Sequence, residues 1–598
     1  MKLLHFLFLV LALLLATAAQ AQQRQPANVS TLPQSTPQEF DLLDNQGRWM
    51  PFGMGANGAF TPMGGAGTDV RAFGCVDDGV TDVGACINNA QANAPGCVIV
   101  PDTQMGFRIA TTVVVTGCLK GQHVATMNTN PNFTYPGASW LKCDVGPNGI
   151  CVDLGSPNAL TQAPQIENVT IGGVAGTPPS GSIGLRVPGG YNLRGKGVAV
   201  INFDNCVLVG PGASIAPISV NFFDLSLGRC QSHYFTVDGV PEVKVLGGRF
   251  GLNGSGEFNA LDFVYFTKTG TLGAGGGPNT VWFDNVQFNP GSAGSGVQCA
   301  ARWGGWTGTG GTPGIYWLTR DYFEWHTDHG GTQGIFCSDS TVPTISQLFV
   351  VNSVTSNSGT TTPIFSLDPA TTPAQWWLSN NLFGGSGATL HTGHPGSQVA
   401  GQIHLDNNTF GGGTSIIADD SKSEVFSTGN HYGTLAISGQ FGHLSMIGDE
   451  WASGYTDTAT GNITATATFG QTFTPHLRFN SVEPADIAYG TRSGTWSRNA
   501  KGGFDVSVTV TLTSKGTANA GDLASIAGWP LTCSSGLEGA PMQSATGFTG
   551  LTGAAQAFMS GTAVGISQST ATGIAQIPYS VFTNTSSFSV TVRCGKAA

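Results

Sequence analysis

Residues able to move protons or to bind a sugar are crowded into one stretch of an otherwise sparsely charged chain. Tyr316 to His329 reads YWLTRDYFEWHTDH. Read as a single strand, its alternate side chains share a face. Arg320, Tyr322, Glu324, His326 and Asp328 then fall on one side, and Trp317, Phe323 and Trp325 on the other, with Asp321 among them. The polar side suits a saccharide: Arg320 and Tyr322 would bind hydroxyl or carboxylate groups, while Glu324, Asp328 and His326 would transfer protons. Glycosidic hydrolysis uses two carboxyl groups about 5–5.5 Å apart for retention or about 6.5–9.5 Å apart for inversion. In an extended strand Glu324 and Asp328 lie about 13 Å apart. Hydrolysis here therefore requires a bend or a second carboxylate from elsewhere. The competing reading is an ordinary strand with one solvated face.

Two further groups belong to the same question. Trp303, Trp306 and Tyr316, with Trp317, Trp325, Trp376 and Trp377, are candidates for stacking on sugar rings, although each alone is a core residue as readily. Asp204, Asp224, Asp238, Glu242 and Asp262 form a second carboxylate set, in which Asp238 and Asp262 are 24 residues apart and could stack. Such a set could hold calcium in a lyase, with Arg249 or Lys244 abstracting the proton α to a uronate carboxylate. Otherwise no cofactor or metal is indicated.

The elements that would position these residues are β-strands. The chain has 598 residues, 87 of them Gly, and only 10% are charged, against roughly 25% in an average protein. From about residue 100 to 450 a motif recurs: an extended run, then Asp or Asn, then a second short strand. Ile166-Glu-Asn-Val-Thr, Val281-Trp-Phe-Asp-Asn, Trp377-Leu-Ser-Asn-Asn and Ile403-His-Leu-Asp-Asn-Asn are instances. Asn381, Asn408 and Asn430 succeed one another at 27 and 22 residues. Periods of that size mean stacked coils. Asparagine at a coil corner can adopt the left-handed region and pair with its neighbours above and below. The spacing breaks between Gly291 and Ser340, which reads as an insertion or a widened loop off the stack.

The ends differ from this body. Lys2, the apolar Leu3–Leu15 and Ala19-Gln20-Ala21 read as a signal peptide over residues 1–21, which implies a secreted, periplasmic or cell-surface protein. The apolar run is too short for a membrane span. Residues 22–67 read as an irregular arm. Net charge is −11 and the 24 Lys and Arg never form a run, so a nucleic-acid partner is disfavoured. Twelve cysteines in such a chain suggest disulfides. Spacing proposes Cys143 with Cys151, Cys206 with Cys230 (about one coil), Cys299 with Cys337, and Cys533 with Cys594. Near residue 463 the coil pattern stops. Phe504–Leu512, FDVSVTVTL, alternates strictly, as a half-buried antiparallel strand does.

Val70–Ala90, VRAFGCVDDGVTDVGACINNA, followed by Gly96-Cys97-Val98-Ile99-Val100-Pro101, reads as strand, turn, helix and strand, with Asp82 at the helix N-cap. This stretch resembles the N-terminal start of the pectate lyase superfamily, V-x-x-F-G-A-x-G-D-G-x-x-D-D-T-x-A-I and then G-x-V-x-x-P. It departs from that pattern at Cys75, Asp77, Val83, Gly84 and Cys86. The resemblance implies an all-β fold, a right-handed parallel β-helix over residues 68–460 capped by that helix. The N-T-D, G-H-G and R-I-K motifs of polygalacturonases are absent, which disfavours that activity. Asp522-Leu-Ala-Ser-Ile-Ala-Gly-Trp-Pro-Leu resembles a segment of the C-terminal β-sandwich of phage tail fibres and tailspikes. It implies such a domain over 475–598 and, with it, a homotrimer. Three functions stay open: a lyase or glycoside hydrolase of an extracellular polysaccharide, a non-catalytic glycan-binding module, and a tailspike-like structural or adhesion protein.

Overall fold

The computed structural model describes strands at 39–43, 49–54 and 60–62 and then most of residues 67–594. Within that span the longest connecting segments outside the description are 126–134, 252–261, 270–277, 290–298, 327–334, 393–400 and 529–539. The signal peptide expected at 1–21 lies outside the described residues. The arm expected to be irregular carries a three-stranded antiparallel meander, Glu39–Leu43, Trp49–Met54 and Phe60–Pro62.

From Thr68 onward the chain is a parallel β-helix. Each typical coil contributes one strand to a nine-stranded sheet, then a strand to a second face, then a strand to a third face. The nine-stranded sheet runs from Val113–Val115 through His233–Asp238, Asp262–Thr267 and Cys299–Trp303 to Phe365–Ser366. Pairing between successive coils is parallel throughout all three faces. Such strands are buried on the inner side and covered by neighbours above and below, so inward positions are filled by Val, Leu, Ile and Phe. Inside, like stacks on like: Phe288 lies parallel to Phe323 at 4.7 Å, and Phe383, Phe410 and Tyr432 follow one another at 5.1 Å.

The first coil is closed by the helix Gly84–Asn93, which buries Gly84, Ile87 and Ala90. Val83, not Asp82, occupies its cap position. Asp82 still accepts from Gly84 N at 3.1 Å, but it also accepts from Ala110 N and from the Thr111 hydroxyl, tying the helix to the next coil. Cys75–Cys86 and Cys97–Cys118 are bonded as well, two pairs that spacing did not suggest. Cys143–Cys151, Cys206–Cys230 and Cys299–Cys337 are bonded, with Cα atoms 5.7, 5.6 and 6.1 Å apart. Cys533 lies outside the described residues.

The corner between the second and third faces sets the register. Asn168, Gly197, Asp224, Gly247, Asn285, Arg320, Asn352, Asn380, Asn407, Gly429 and Gly448 occupy it in successive coils, and all have positive φ. From Val286 on, the next residue inward builds a ladder. Val286 N donates to Asp321 Oδ1, Asp321 N to Ser353 Oγ, and Ser353 N to Asn381 Oδ1. Asn381 N then donates to Asn408 Oδ1, Asn408 N to Asn430 Oδ1, and Asn430 N to Asp449 Oδ1, all within 2.8–3.2 Å. The two tasks assigned to one corner asparagine by sequence are thus divided between adjacent residues. The rungs are separated by 35, 32, 28, 27, 22 and 19 residues, so the coils shorten toward the C-terminus. Of the two readings of the interval Gly291–Ser340, the described strands agree with widened loops rather than an insertion. Its strands at 299–303, 315–319, 322–326 and 336–338 all pair in register, and the extra length sits in connections.

Beyond the last coil, strands form two antiparallel sheets, of five and six strands. Phe504–Lys515 buries Phe504, Val506, Val508, Val510 and Leu512. Phe479 of one sheet meets Phe582 of the other at 5.3 Å, and Trp496 meets Trp451 of the last coil at 5.4 Å.

Asp449 ends the ladder. It accepts from the backbone and side chain of Asn430 at 2.8 and 2.9 Å, while its Oδ2 has no partner. Burial outweighs those donors and raises its pKa to about 6. A raised carboxyl pKa means the native state holds the proton more tightly. The stabilisation is complete below pH ~4 and is lost as pH rises through about 6, amounting to as much as ~3 kcal/mol. Asp449→Asn should therefore raise Tm at pH 8 and alter it little at pH 4 in thermal unfolding. Equal shifts at both pH values would show that protonation plays no part.

Candidate functional site

The stretch Tyr316–His329 is not one strand. Ile315–Thr319 lies on the second face and Tyr322–His326 on the third, with the chain turning between them at Arg320, whose φ is 57°. Arg320 therefore does not share a strand face with Tyr322 and Glu324. The stack demands a left-handed residue at this corner, and Arg320 occupies it while clasping Asp284 of the preceding coil through Nε at 2.8 Å and through Nη2. Tyr322 is exposed and Phe323 is buried, as alternation requires. Glu324 and His326 lie in the same strand, beside Ser356 and Ser358 of the next coil. Asp328 lies outside the described residues. Asp321 is buried at the corner. Its Oδ1 accepts from Val286 N at 2.8 Å, and burial pushes its carboxyl well above the usual range.

The aromatic candidates are mostly core. Trp303, Trp306, Tyr316 and Trp376 are buried and cannot stack on a sugar. The 303 and 316 rings pack edge to face at 5.2 Å inside the coil. Trp317 and Trp377 do point outward, on the second face, where a rail of rings runs along the stack. Trp317 stacks on Phe349 at 3.7 Å, Phe349 on Trp377 at 5.8 Å, Trp377 on His404 at 3.7 Å, and His404 on Phe426 at 4.9 Å. Within this column the rings face one another rather than solvent. A sugar platform needs free faces; this rail stabilises the stack.

Of the second carboxylate set, Glu242 is ion-paired with Lys244 at 2.7 Å. Asp204 accepts from Gly181 N and the Ser232 hydroxyl, and Asp238 from Thr269 N. Asp224 sits at the left-handed corner. Among the described residues no group of three or more His, Cys, Asp or Glu could hold a metal ion.

Asp262 is different. It opens a strand of the nine-stranded sheet, is 1% exposed, and neither carboxyl oxygen has a hydrogen-bond partner. His233 lies beside it on the preceding coil, Nδ1 to Oδ2 3.6 Å, and its ring stacks on Tyr265 at 4.4 Å. Arg302, on the following coil, reaches Asp262 at 4.0 Å with Nη1 and Asp339 at 3.9 Å with Nη2. Burial raises Asp262 to about 7 although Arg302 opposes the shift. Burial also lowers His233 to about 4, with Asp204 opposing. At neutral pH the His233–Asp262 contact is thus between a neutral imidazole and a carboxyl group near half protonation, not an ion pair. Asp339 is an acceptor: Gly305 N donates at 3.2 Å and Thr341 N at 3.0 Å. Glycine at 305 is required twice over, because φ is 62° and a Cβ would come within 2.3 Å of the Tyr265 hydroxyl. The site side chains of Arg302 and Asp339 remain 23% and 32% exposed. One surface therefore gathers a buried proton donor, an acceptor and a cation between them. The sequence reading found Asp262 but not His233, Tyr265, Arg302 or Asp339. Between 29 and 37 residues separate each from the next coil's contribution, and only stacking unites them.

No family model matches the chain, and no curated protein matches it. Solved structures do. The Dettilon tailspike protein is 13% identical over 88% of this chain and 93% of its own, with a TM-score of 0.30. The mannuronan C-5 epimerase AlgE4 A-module of Azotobacter vinelandii is 12% identical over 67% and 100%, with a TM-score of 0.37. The GH87 alpha-1,3-glucanase of Streptomyces thermodiastaticus is 10% identical over 68% and 69%, with a TM-score of 0.36. Likenesses of this size carry no argument about what this chain does.

If Trp303 is a core residue, Trp303→Ala should cost about 3–5 kcal/mol of stability, seen as a large fall in Tm. A variant of unchanged Tm would contradict its place in the core.

Proposed function

We propose that the protein is a secreted enzyme acting on an extracellular polysaccharide, a glycoside hydrolase or a lyase, with its chemistry on the nine-stranded sheet. The observation that carries this reading is Asp262. Burial raises its pKa to about 7, and a carboxyl group near half protonation with no hydrogen bond committed elsewhere is what a general acid needs; at 1% exposure it can serve as one only where substrate binding uncovers it beside the part-exposed Arg302 and Asp339. Asp339, across the same guanidinium, is the acceptor that would activate water. Glu324, with Tyr322 on its strand and His326 beyond it, stands as a second locus on the third face. Five disulfides among the described residues suit an oxidising compartment outside the cytoplasm.

The test is incubation with a panel of polysaccharides, following reducing ends and absorbance near 235 nm, with and without a chelator. Hydrolysis gives reducing ends without absorbance and survives chelation; a calcium-dependent lyase does neither. Asp262→Asn should lower turnover by at least about a hundredfold, and the wild-type rate should fall as pH rises through about 7, where the acid deprotonates. Wild-type turnover by Asp262→Asn with loss in Glu324→Gln would move the chemistry to the third face.

The non-catalytic, tailspike-like alternative draws on the antiparallel sheets that follow the coils. It expects glycan binding without turnover, and a homotrimer in light scattering that shrinks when the chain ends near Ser453.

A further inference from the structure

The outward side of the second face changes character along the stack. One column of register positions runs from Arg194 through Asn221 and Lys244 to Trp282. From Trp282 to Phe426 the column holds only rings, one per coil over six coils. His404 belongs to it as a neutral imidazole, because burial lowers its pKa. On one side of the rings runs a column of amides. Gln347 pairs with Gln375, Gln375 with Gln402 at 3.3 Å, and Gln402 with Glu424 at 2.8 Å. On the other side lie Val351, Ser379, Asp406 and Thr428. None of these positions carries Lys or Arg. All are half-buried apart from Thr428, which is exposed.

Such a surface is cheap to cover. Rings stack and amides pair along the column, so these side chains are already fixed and satisfied before a partner arrives. Ordering side chains and stripping water from unpaired polar groups are major costs of association, and both are small here. Abundant aromatic residues without Lys are the composition of an interface core. Six coils at about 4.8 Å per coil make the surface about 29 Å long, and three outward positions make it about 20 Å wide. Two such surfaces pressed together would bury on the order of 1,200 Å², which is enough for a specific interface. The ring edges recur once per coil and leave furrows of the same period. A partner that fills them along the whole rail must repeat at the same step, as a second stack of these coils does.

We propose that the second face from Trp282 to Phe426 is an interface between copies of this chain, with the ring edges of one copy set into the furrows of its partner. The contact lies on the β-helix itself, apart from the C-terminal sheets. It leaves the nine-stranded sheet with Asp262 and the third face with Glu324 uncovered, and it does not depend on the polysaccharide reading.

The experiment is analytical ultracentrifugation of the full chain over a concentration series. The wild type should be an oligomer at micromolar concentration. Val351→Arg combined with Ser379→Arg sets like charges against each other across the contact and should weaken association by at least about a hundredfold. Both positions face outward, and Asp406 lies beside Ser379 in register to pair with the new guanidinium, so the fold should hold. Thr428→Arg, at the exposed position of the same column, carries the same expectation should the double variant fail to fold. Leu382→Arg, on the third face and 49% exposed, should leave the mass unchanged. A monomeric wild type, an unchanged mass in the column variants, or an equal loss in Leu382→Arg would overturn the interface.

Discussion

Every coil of this protein must turn from its second face to its third at one point, and from Val286 onward that point is held by a backbone amide donating to a side chain of the following coil. The corner forces a left-handed residue and leaves the next N–H without a strand partner. An inward Asn, Asp or Ser supplies the missing acceptor. In the last three rungs the Asn Nδ2 also donates onward, so each of these asparagines is both donor and acceptor. Such a column fixes register, since a slip by one residue would bury the outward set and orphan every amide at the corner. The three faces, the inward aromatic stacks and the outward ring rail all inherit their alignment from it.

Much of this was legible. The spacing of Asn381, Asn408 and Asn430 announces coils because amide side chains are the cheapest way to satisfy a repeated corner. The strict alternation from Phe504 announces an antiparallel strand because one face is dry. Arg320 was not legible. Arginine carries no signal for a left-handed turn, so YWLTRDYFEW looked like one continuous strand. Only the stack reveals that the coil must bend there, and that the Asp284 clasp compensates. Trp303 and Tyr316 were misplaced for a related reason: aromatic residues near charged ones suggest a binding surface, yet in a narrow solenoid the interior must also be filled by large rings.

The chemistry divides along the same line. Asp262, His233, Arg302 and Asp339 carry no motif, because a solenoid assembles a site across coils rather than along the chain. Their proximity follows from register alone, and register was the quantity the sequence specified least well in the long coils. Pairs fixed within one coil, such as Cys143 with Cys151, were visible from spacing.

The shortening of the coils has a consequence for how the molecule comes apart. A solenoid is held by nearest-neighbour contacts, so it can open from either end. Among the described residues all five covalent cross-links lie between Cys75 and Cys337, most of them before the first rung. The amide column begins at Val286 and runs through the short coils beyond. The molecule is thus riveted in one half and zipped in the other. A reductant would loosen the riveted half first and leave the zipped half to unravel only under heat or denaturant, giving one chain two modes of failure with different chemical triggers.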